Sequence, residues 1–349
     1  MYLRITIILI TSIVVILLIF LLFSEITSYR PKKIETLFKA ENSTILPDTA
    51  DFSIITWNIG YAGLGNDMSF FYDGGEKMRT SMERTMLNHD KILKFISENS
   101  YIDFFLLQEV DVKSKRSYYL NTLDSLKKIS PNAMHSFGYN YKVKHVPLPA
   151  LNPMGKVNSG ILTISHAIPS IVERHSYAGN YPWPNRLFNL KRCFVINRYP
   201  ISNGKELIII NTHNSAFDDG SLRDTQMQQL KEIMINEYLL GNFVVAGGDW
   251  NQCPPEFRYN FTFNLFDSID NKTISPDFLP DWNWAYDNTT PTNRRITTPY
   301  DAGSILTTVI DFFVFSPNIK VTSVEGMHLD FEYSDHNPVK ATFRLGGEQ

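Results

Sequence analysis

From Phe52 onward, short apolar runs alternate with stretches of helical spacing, and this alternation restricts the fold more than any other feature. The predicted strands are Phe52–Trp57, Phe104–Gln108, Gly160–Ser165, Phe194–Asn197, Leu207–Asn211, Phe243–Ala246, Val309–Phe315 and Val339–Phe343. The predicted helices are Met82–Ser97, Ser117–Lys128 and Leu222–Leu240, with long loops over 61–79, 135–158, 176–190 and 252–305. No linker divides residues 51–345, so we expect one α+β domain, an α/β sandwich of mixed sheets with helices outside.

Composition excludes several classes of protein. The chain has 349 residues, of which 43% are hydrophobic and 20% charged, so it can bury a core and is not a disordered chain. Two cysteines rule out a disulfide scaffold and a cysteine-rich zinc module. A net charge of −3 means that nucleic-acid binding would need a local basic patch, and no basic run is visible.

The amino-terminal segment predicts a membrane helix. Residues 5–23 contain no charge, glycine or proline, and as a helix they would span about 28 Å, close to the thickness of bilayer hydrocarbon. A cleaved signal peptide is the alternative, but its apolar region is usually shorter, about 7–15 residues, and no small-residue cleavage site follows. We therefore expect residues 1–23 to be an uncleaved anchor and residues 24–50, which are polar and irregular, to be a tether.

The orientation of this anchor is nearly balanced. Arg4 flanks one side, while Arg30, Lys32 and Lys33, offset by Glu25, flank the other. Because the run resembles a signal anchor, we expect a single-pass membrane protein with its carboxyl-terminal domain outside the cytoplasm.

Acidic, amide and imidazole residues stand where apolar strands end or begin. Those at strand ends are Asn58, Glu109, Asn211, His213, Asp249 and Asn251, and those at strand starts are Asp311, Asp335 and His336. Strands that end at one rim of a sheet place their last side chains close together, and an antiparallel neighbour reaches that rim with its first residues. We therefore expect the two groups to meet at one rim.

Each of these residues has an ordinary structural explanation when it is taken alone. Asn58 is typical of a turn, Glu109 of a solvated strand end, and His213 of a hydrogen-bonded structural histidine. Six separate segments share the placement, however, and four crowded carboxylates raise one another's pKa unless a cation is present. Oxygen ligands with few histidines and no cysteine favour Mg²⁺, or Mn²⁺, over zinc.

The strings TWNIG, LLQEVD, NSGILTIS, NTHNSAF, GGDWN, VIDFFVFS and YSDHNPV resemble the endonuclease/exonuclease/phosphatase superfamily, in order, over about residues 52–344. The resemblance implies a four-layer DNase-I-like fold of two packed sheets and a Mg²⁺-dependent hydrolase acting on phosphate esters. It implies a metal site of Glu109, Asn58 and Asp335. It also implies that Asp249 and Asn251 position the nucleophile, the phosphate or a metal, and that Asp311 orients a catalytic His336. His213 would contact the phosphate or serve as a general acid. One departure is Gly60, where some nucleases carry an acidic residue.

The sequence offers more than one candidate for the general base and for the substrate. His336 is our preferred general base and Asp249 its rival. Asn158, Arg192, Arg294 and Arg295 are candidate anion contacts, although arginines are mostly solvated surface residues. A membrane phospholipid fits the anchor and the near-neutral charge, a soluble phosphate ester is an alternative, and a nuclease would prefer a basic groove. An inactive binding module is the alternative of another class. We expect a monomer.

Overall fold

The structure is a computed structural model that describes residues 1–216, 220–258 and 273–346. Its α-helices are α1 (Tyr2–Ile26), α2 (Met82–Glu98), α3 (Thr122–Ile129) and α4 (Ser221–Leu239). Its strands, in chain order β1 to β15, are Ile34–Lys39, Asp51–Asn58, Phe104–Asp111, Met134–Val146, Gly155–Ser165, Ile171–Ser176, Cys193–Pro200, Glu206–His213, Phe243–Asp249, Asn283–Ala285, Asn293–Arg294, Thr307–Thr308, Asp311–Phe315, Ile319–Gly326 and Val339–Leu345.

Two large mixed sheets pack face to face, with helices on their outer faces. The seven-stranded sheet has the order β1-β6-β7-β8-β9-β13-β10, and the six-stranded sheet has the order β14-β15-β2-β3-β5-β4. Helix α4 covers the first sheet, whereas α2 and α3 cover the second. This is the four-layer DNase-I-like α+β fold, so the fold class expected from the sequence is confirmed.

The central strands are apolar on both sides because both of their faces are buried. In β2, Ile54 points into the core between the sheets, whereas Ile55 and Trp57 pack toward α2. In β8, Ile209 lies between the sheets, and the residues on either side of it pack against α4. These continuous apolar runs are what made the strands predictable.

The segments that were predicted as irregular contain strands that lie at or near sheet edges. Residues 24–50, predicted as a tether, include β1, which pairs antiparallel with β6 and ends the seven-stranded sheet. The predicted loop 135–158 contains most of β4, at the edge of the other sheet. These strands mix polar with apolar residues because part of their surface faces solvent. They therefore lack the apolar run on which the prediction relied.

Helix α1 precedes this sandwich. It is 25 residues long with a mean hydropathy of 3.3 over an 18-residue window, and that window is not buried against the rest of the protein. By length and composition it is long and apolar enough to cross a bilayer, and a signal sequence near the amino terminus would meet the same criteria.

Gly248, near the end of β9, lets the backbone of the neighbouring strand β8 of the same sheet approach closely beside the acidic rim. A Cβ atom on Gly248 would lie 2.0 Å from the carbonyl oxygen of Thr212 in β8, at a φ of +149°. We expect Gly248→Ala to lower the free energy of unfolding by at least about 2 kcal/mol, because the obstructing atom is backbone and cannot move aside. Denaturant unfolding measures this effect.

Gly204→Ala is the matched control. Gly204 also has a positive φ, of +81°, but a Cβ atom there would have nothing within 4 Å. Its cost is therefore the conformational penalty alone, about 1 kcal/mol. Equal losses in the two variants would show that the close approach at Gly248 does not limit stability.

Candidate active site

Two pairs of parallel strands end at the same rim of the sandwich. β2 runs parallel to β3, and β8 runs parallel to β9, with His213 opposite Asp249. β13 runs antiparallel to β9, which places its first residue, Asp311, directly opposite Asp249. The convergence expected from strand ends and strand starts is therefore present. A hydrogen bond joins the rims of the two sheets, because Asn58 Nδ2 donates to Asp249 Oδ2 over 3.0 Å.

His336 and Asp311 form a buried pair in this rim. His336 Nδ1 lies 2.7 Å from Asp311 Oδ2, while His336 Nε2 lies 3.8 Å from Asp249 Oδ2. Burial, the largest single influence, lowers the pKa of His336, but the combined charges of Asp311, Asp335 and Asp249 outweigh it and raise that pKa to about 10. Asp311 thus holds the ring in one orientation, and the three carboxylates favour its protonated form.

Asp249 is the centre of the polar network. Its Oδ2 accepts from Asn58 and lies 3.3 Å from His213 Nε2, while its Oδ1 accepts from the backbone amide of Asn251. Burial, followed by the charge of Arg192, lowers the pKa of His213 well below its usual value, so that imidazole is neutral. His213 therefore acts on Asp249 as a neutral hydrogen-bonding neighbour.

The side chain of Glu109 reaches the rim through a β-bulge. Pairing between β3 and β5 shifts register between Leu107 and Val110, and Glu109 has a positive φ of 56°. Such bulges re-aim a side chain, and they occur often beside active sites. Arg116, which binds Asp111 through two hydrogen bonds, places its Nη2 3.5 Å from Glu109 Oε2. The carboxylate of Glu109 is thereby fixed in position.

Among the carboxylates of this site, Asp335 is one whose pKa is strongly raised. Burial, opposed by His336 and reinforced by the charge of Glu109, raises the pKa of Asp335 to about 7. A Cβ atom on Gly60 would lie only 2.9 Å from Asp335 Oδ1, so an acidic side chain cannot stand at position 60 here. Asp335 is buried and Glu109 is half-buried, and two carboxylates that repel each other in such a place are stabilised by a hard divalent cation. Glu109, Asp335 and Asn58 therefore fit a metal of the Mg²⁺ type.

A second group of ligand atoms lies close by. It consists of three ligand atoms within 4.8 Å of one another, contributed by Asp249, Asp311 and His336. Because His336 Nδ1 and Asp311 already bind each other, this group suits proton handling better than metal binding.

The residues predicted to bind the substrate have three different environments. Arg192 lines a cavity of about 380 Å³ next to Glu109, and its Nη1 has no hydrogen-bond partner. Arg294 instead donates to backbone carbonyls, including that of Gly65 at 2.6 Å, so most of its donors are used within the protein. Asn158 donates to the carbonyl of Val112, and the cavity is lined by its neighbour Ser159.

Sequence reasoning missed several residues around the site. The side-chain amide nitrogen of Asn293 lies 2.9 Å from His336 Nε2, closer than that of Asn58 at 3.5 Å. Asn293 directly precedes Arg294 in a loop already singled out, so the signal was adjacent. The guanidinium of Arg116 stacks on the ring of Tyr61, with 3.7 Å between its carbon and the ring centroid. Neither residue lies in an apolar run, so the sequence pattern did not point to either as part of the site.

The chain is similar to known proteins in its sequence profile and in its fold. The sequence profile of the Endonuclease/Exonuclease/phosphatase family matches residues 55–336. The fold is similar to that of an endonuclease/exonuclease/phosphatase from Bacteroides vulgatus, with 17% identity, a TM-score of 0.53, and coverage of 85% of this chain and 99% of that one. It is also similar to ANGEL2, a 2′,3′-cyclic phosphatase, with 16% identity, a TM-score of 0.55, and coverage of 91% and 99%. No curated protein matches this chain in sequence.

Proposed function

Because this chain belongs to the endonuclease/exonuclease/phosphatase family, we propose that it is a Mg²⁺-dependent phosphoesterase held at a membrane by α1. Its reaction would be the in-line attack of water on the phosphorus of a phosphodiester or phosphomonoester. The observation that carries the proposal is the run of contacts from Asp311 through His336 to Asp249, beside the acidic pair Glu109 and Asp335. We place the domain outside the cytoplasm.

Glu109, Asp335 and Asn58 would hold the ion, Mg²⁺ or Mn²⁺. When bound there, a divalent ion polarises a phosphoryl oxygen and neutralises charge that develops in the transition state. Arg116 fixes the Glu109 carboxylate for this purpose.

Asp249 is the better candidate for the general base, in place of the histidine favoured from sequence. The raised pKa of His336 keeps its ring protonated near neutral pH, and a protonated ring cannot accept the proton of the attacking water. The carboxylate oxygen Oδ2 of Asp249 lies 3.8 Å from Nε2 of that ring. His336 then stabilises the phosphoryl oxygens as a positively charged donor, with Asp311 holding its orientation. His213 and Asn251 position Asp249.

The test is a substrate panel with the full-length chain in detergent, because a truncation near residue 36 would remove part of β1. Phospholipids, sphingomyelin, inositol phosphates, bis-p-nitrophenyl phosphate and plasmid DNA would each be offered with Mg²⁺ and with EDTA. We expect turnover of at least one ester that requires Mg²⁺ and stops in EDTA. Turnover that EDTA does not affect would contradict the requirement for a metal. Cleavage of DNA alone would identify a nuclease. A protein that hydrolyses none of these esters would favour a binding module.

A further inference from the structure

The end of α1 contacts the catalytic domain at a defined place. The ring of Phe20 stacks on that of Phe188, with centroids 5.6 Å apart, and meets His145 edge-on at 6.1 Å. Phe20 is six residues from the end of α1, or about 9 Å along a helix. If α1 spans a bilayer, the surface around Phe188 and His145 therefore lies at the level where the helix leaves the hydrocarbon.

Large apolar side chains project from the two loops next to these contacts. We call residues 147–154 and 179–190 the rim loops. Leu148 is 53% exposed, Trp183 is 57% exposed, and Leu151 is fully exposed. Exposed apolar residues grouped on loops mark binding surfaces, and tryptophan is enriched at the boundary between membrane and water. Their position beside the end of α1 makes the bilayer the surface that they fit.

The cavity of about 380 Å³ next to Glu109 lies between these loops. Met154 contributes from one rim loop, while Tyr181 and Leu190 contribute from the other. Tyr72 also lines the cavity, and its hydroxyl donates to the carbonyl of Leu148. The apolar loops thus surround the entrance to the catalytic rim.

A second cavity connects this space to the end of α1. It has a volume of about 390 Å³ and includes Glu25, in the last turn of α1, and Tyr29, just beyond that helix. It shares Tyr181, Leu190 and Arg192 with the first cavity. The shared residues place the two cavities side by side. A molecule that spans them would extend from Glu109 toward the bilayer.

Buried polar atoms without partners show what the first cavity would bind. These atoms are Tyr61 Oη, Asn140 Nδ2, Ser159 Oγ and Arg192 Nη1. Most of them are donors, and no carboxylate of the described residues pairs with the Arg192 guanidinium. Buried donors are normally satisfied, so a ligand that fills this cavity should offer several acceptor oxygens, at least one of them anionic. A phosphate ester with further ester or hydroxyl oxygens meets that requirement.

We propose that this cavity binds the polar head group of a membrane phospholipid, and that the rim loops hold its entrance against the bilayer in which α1 is embedded. The proposal rests on the proposed function and names its substrate class. The scissile phosphate would lie between Glu109 and Arg192, and the acyl chains would remain in the bilayer.

Fluorescence quenching tests the docking directly. The chain has five tryptophans, all in the described residues, and Trp183 is the exposed one, whereas α1 contains none. The full-length chain would be reconstituted in phosphatidylcholine and phosphatidylglycerol vesicles with brominated acyl chains. We expect quenching of the wild-type emission that disappears in Trp183→Phe. Equal quenching in the two proteins, or none in either, would overturn the docking.

Activity on two forms of the same head group tests the substrate class. We expect vesicle phospholipid to be hydrolysed faster than glycerophosphocholine and glycerophosphoglycerol, which lack acyl chains. Leu151→Asp should lower kcat/KM on vesicles by about tenfold or more and leave hydrolysis of bis-p-nitrophenyl phosphate unchanged. The matched control is Leu240→Asp, because Leu240 is 66% exposed but precedes the start of β9, at the opposite end of the sheet.

The outcomes separate this proposal from the proposed function. If bis-p-nitrophenyl phosphate is hydrolysed but vesicle phospholipid is not, the lipid proposal fails and the phosphoesterase stands. If neither is hydrolysed, the phosphoesterase itself fails. Equal effects of Leu151→Asp and Leu240→Asp on vesicle turnover would remove the special role of the rim loops.

Discussion

Replacement of His336 by alanine is expected to lower kcat by about 10²- to 10³-fold, the usual loss when a donor to the negative charge of the transition state is removed. The imidazole contacts Asp311 at 2.7 Å and also approaches Asp249 and Asp335, at 3.8 Å and 4.0 Å. Its removal takes away the positive charge that would face the phosphoryl oxygens. Steady-state kinetics of the full-length chain measure the loss.

Folding should survive this change, because the structural bond from Trp57 Nε1 goes to the backbone oxygen of His336, which alanine keeps. Circular dichroism and the Tm check that point. Asp311→Asn tests orientation separately, since it keeps the volume of the side chain but removes the charge behind Nδ1, and we expect a comparable loss of kcat. His166→Ala, at an exposed histidine bonded to Ser100, is the control and should leave kcat unchanged. Near-wild-type turnover by His336→Ala would remove this histidine from the mechanism.

The sequence could predict the centre of the site because sheet geometry is general. Three apolar strands that are buried on both faces end at a polar residue, namely at Asn58, His213 and Asp249. The apolar run therefore predicted each strand, and the polar residue after it predicted where the strand ends. Parallel neighbours end at one rim, which made their proximity an inference from chain direction alone. The same reasoning brought Asp311 to that rim, and the register of β13 and β9 sets it directly opposite Asp249.

The surroundings of the site could not be predicted in this way. The aim of Glu109 depends on a bulge between β3 and β5, and a bulge changes register without changing the apolar pattern. Asn293 and Arg116 reach the site from segments whose course is set by tertiary contacts. Arg192 and Arg294 have the same side chain, yet Nη1 of Arg192 has no partner and its side chain lines a cavity, whereas both Nη atoms of Arg294 donate to backbone carbonyls. Only the packed loops decide between those two environments.

Replacement of Glu109 by glutamine should abolish stabilisation by Mg²⁺ and lower kcat/KM by at least about 10²- to 10³-fold. Glutamine has nearly the same shape, so the loss would come from the missing charge. A ligand present at about 100 times its Kd stabilises the folded state by about 2.7 kcal/mol, and thermal unfolding with and without Mg²⁺ detects such a shift. The control is Glu173→Gln, because the side chains of Glu173 and Glu109 are similarly exposed, at 25% and 22%.

The stability of this variant without metal distinguishes a metal ligand from a structural residue. Glu109 adds to the electrostatic strain on Asp335, whose pKa is raised to about 7, so removal of the Glu109 charge should relieve repulsion. Arg116 loses its 3.5 Å contact but keeps both bonds to Asp111. We therefore expect Glu109→Gln in EDTA to unfold at or above the wild-type Tm. A lower Tm in EDTA together with intact Mg²⁺ stabilisation would show that Glu109 supports the fold and that the ion binds elsewhere.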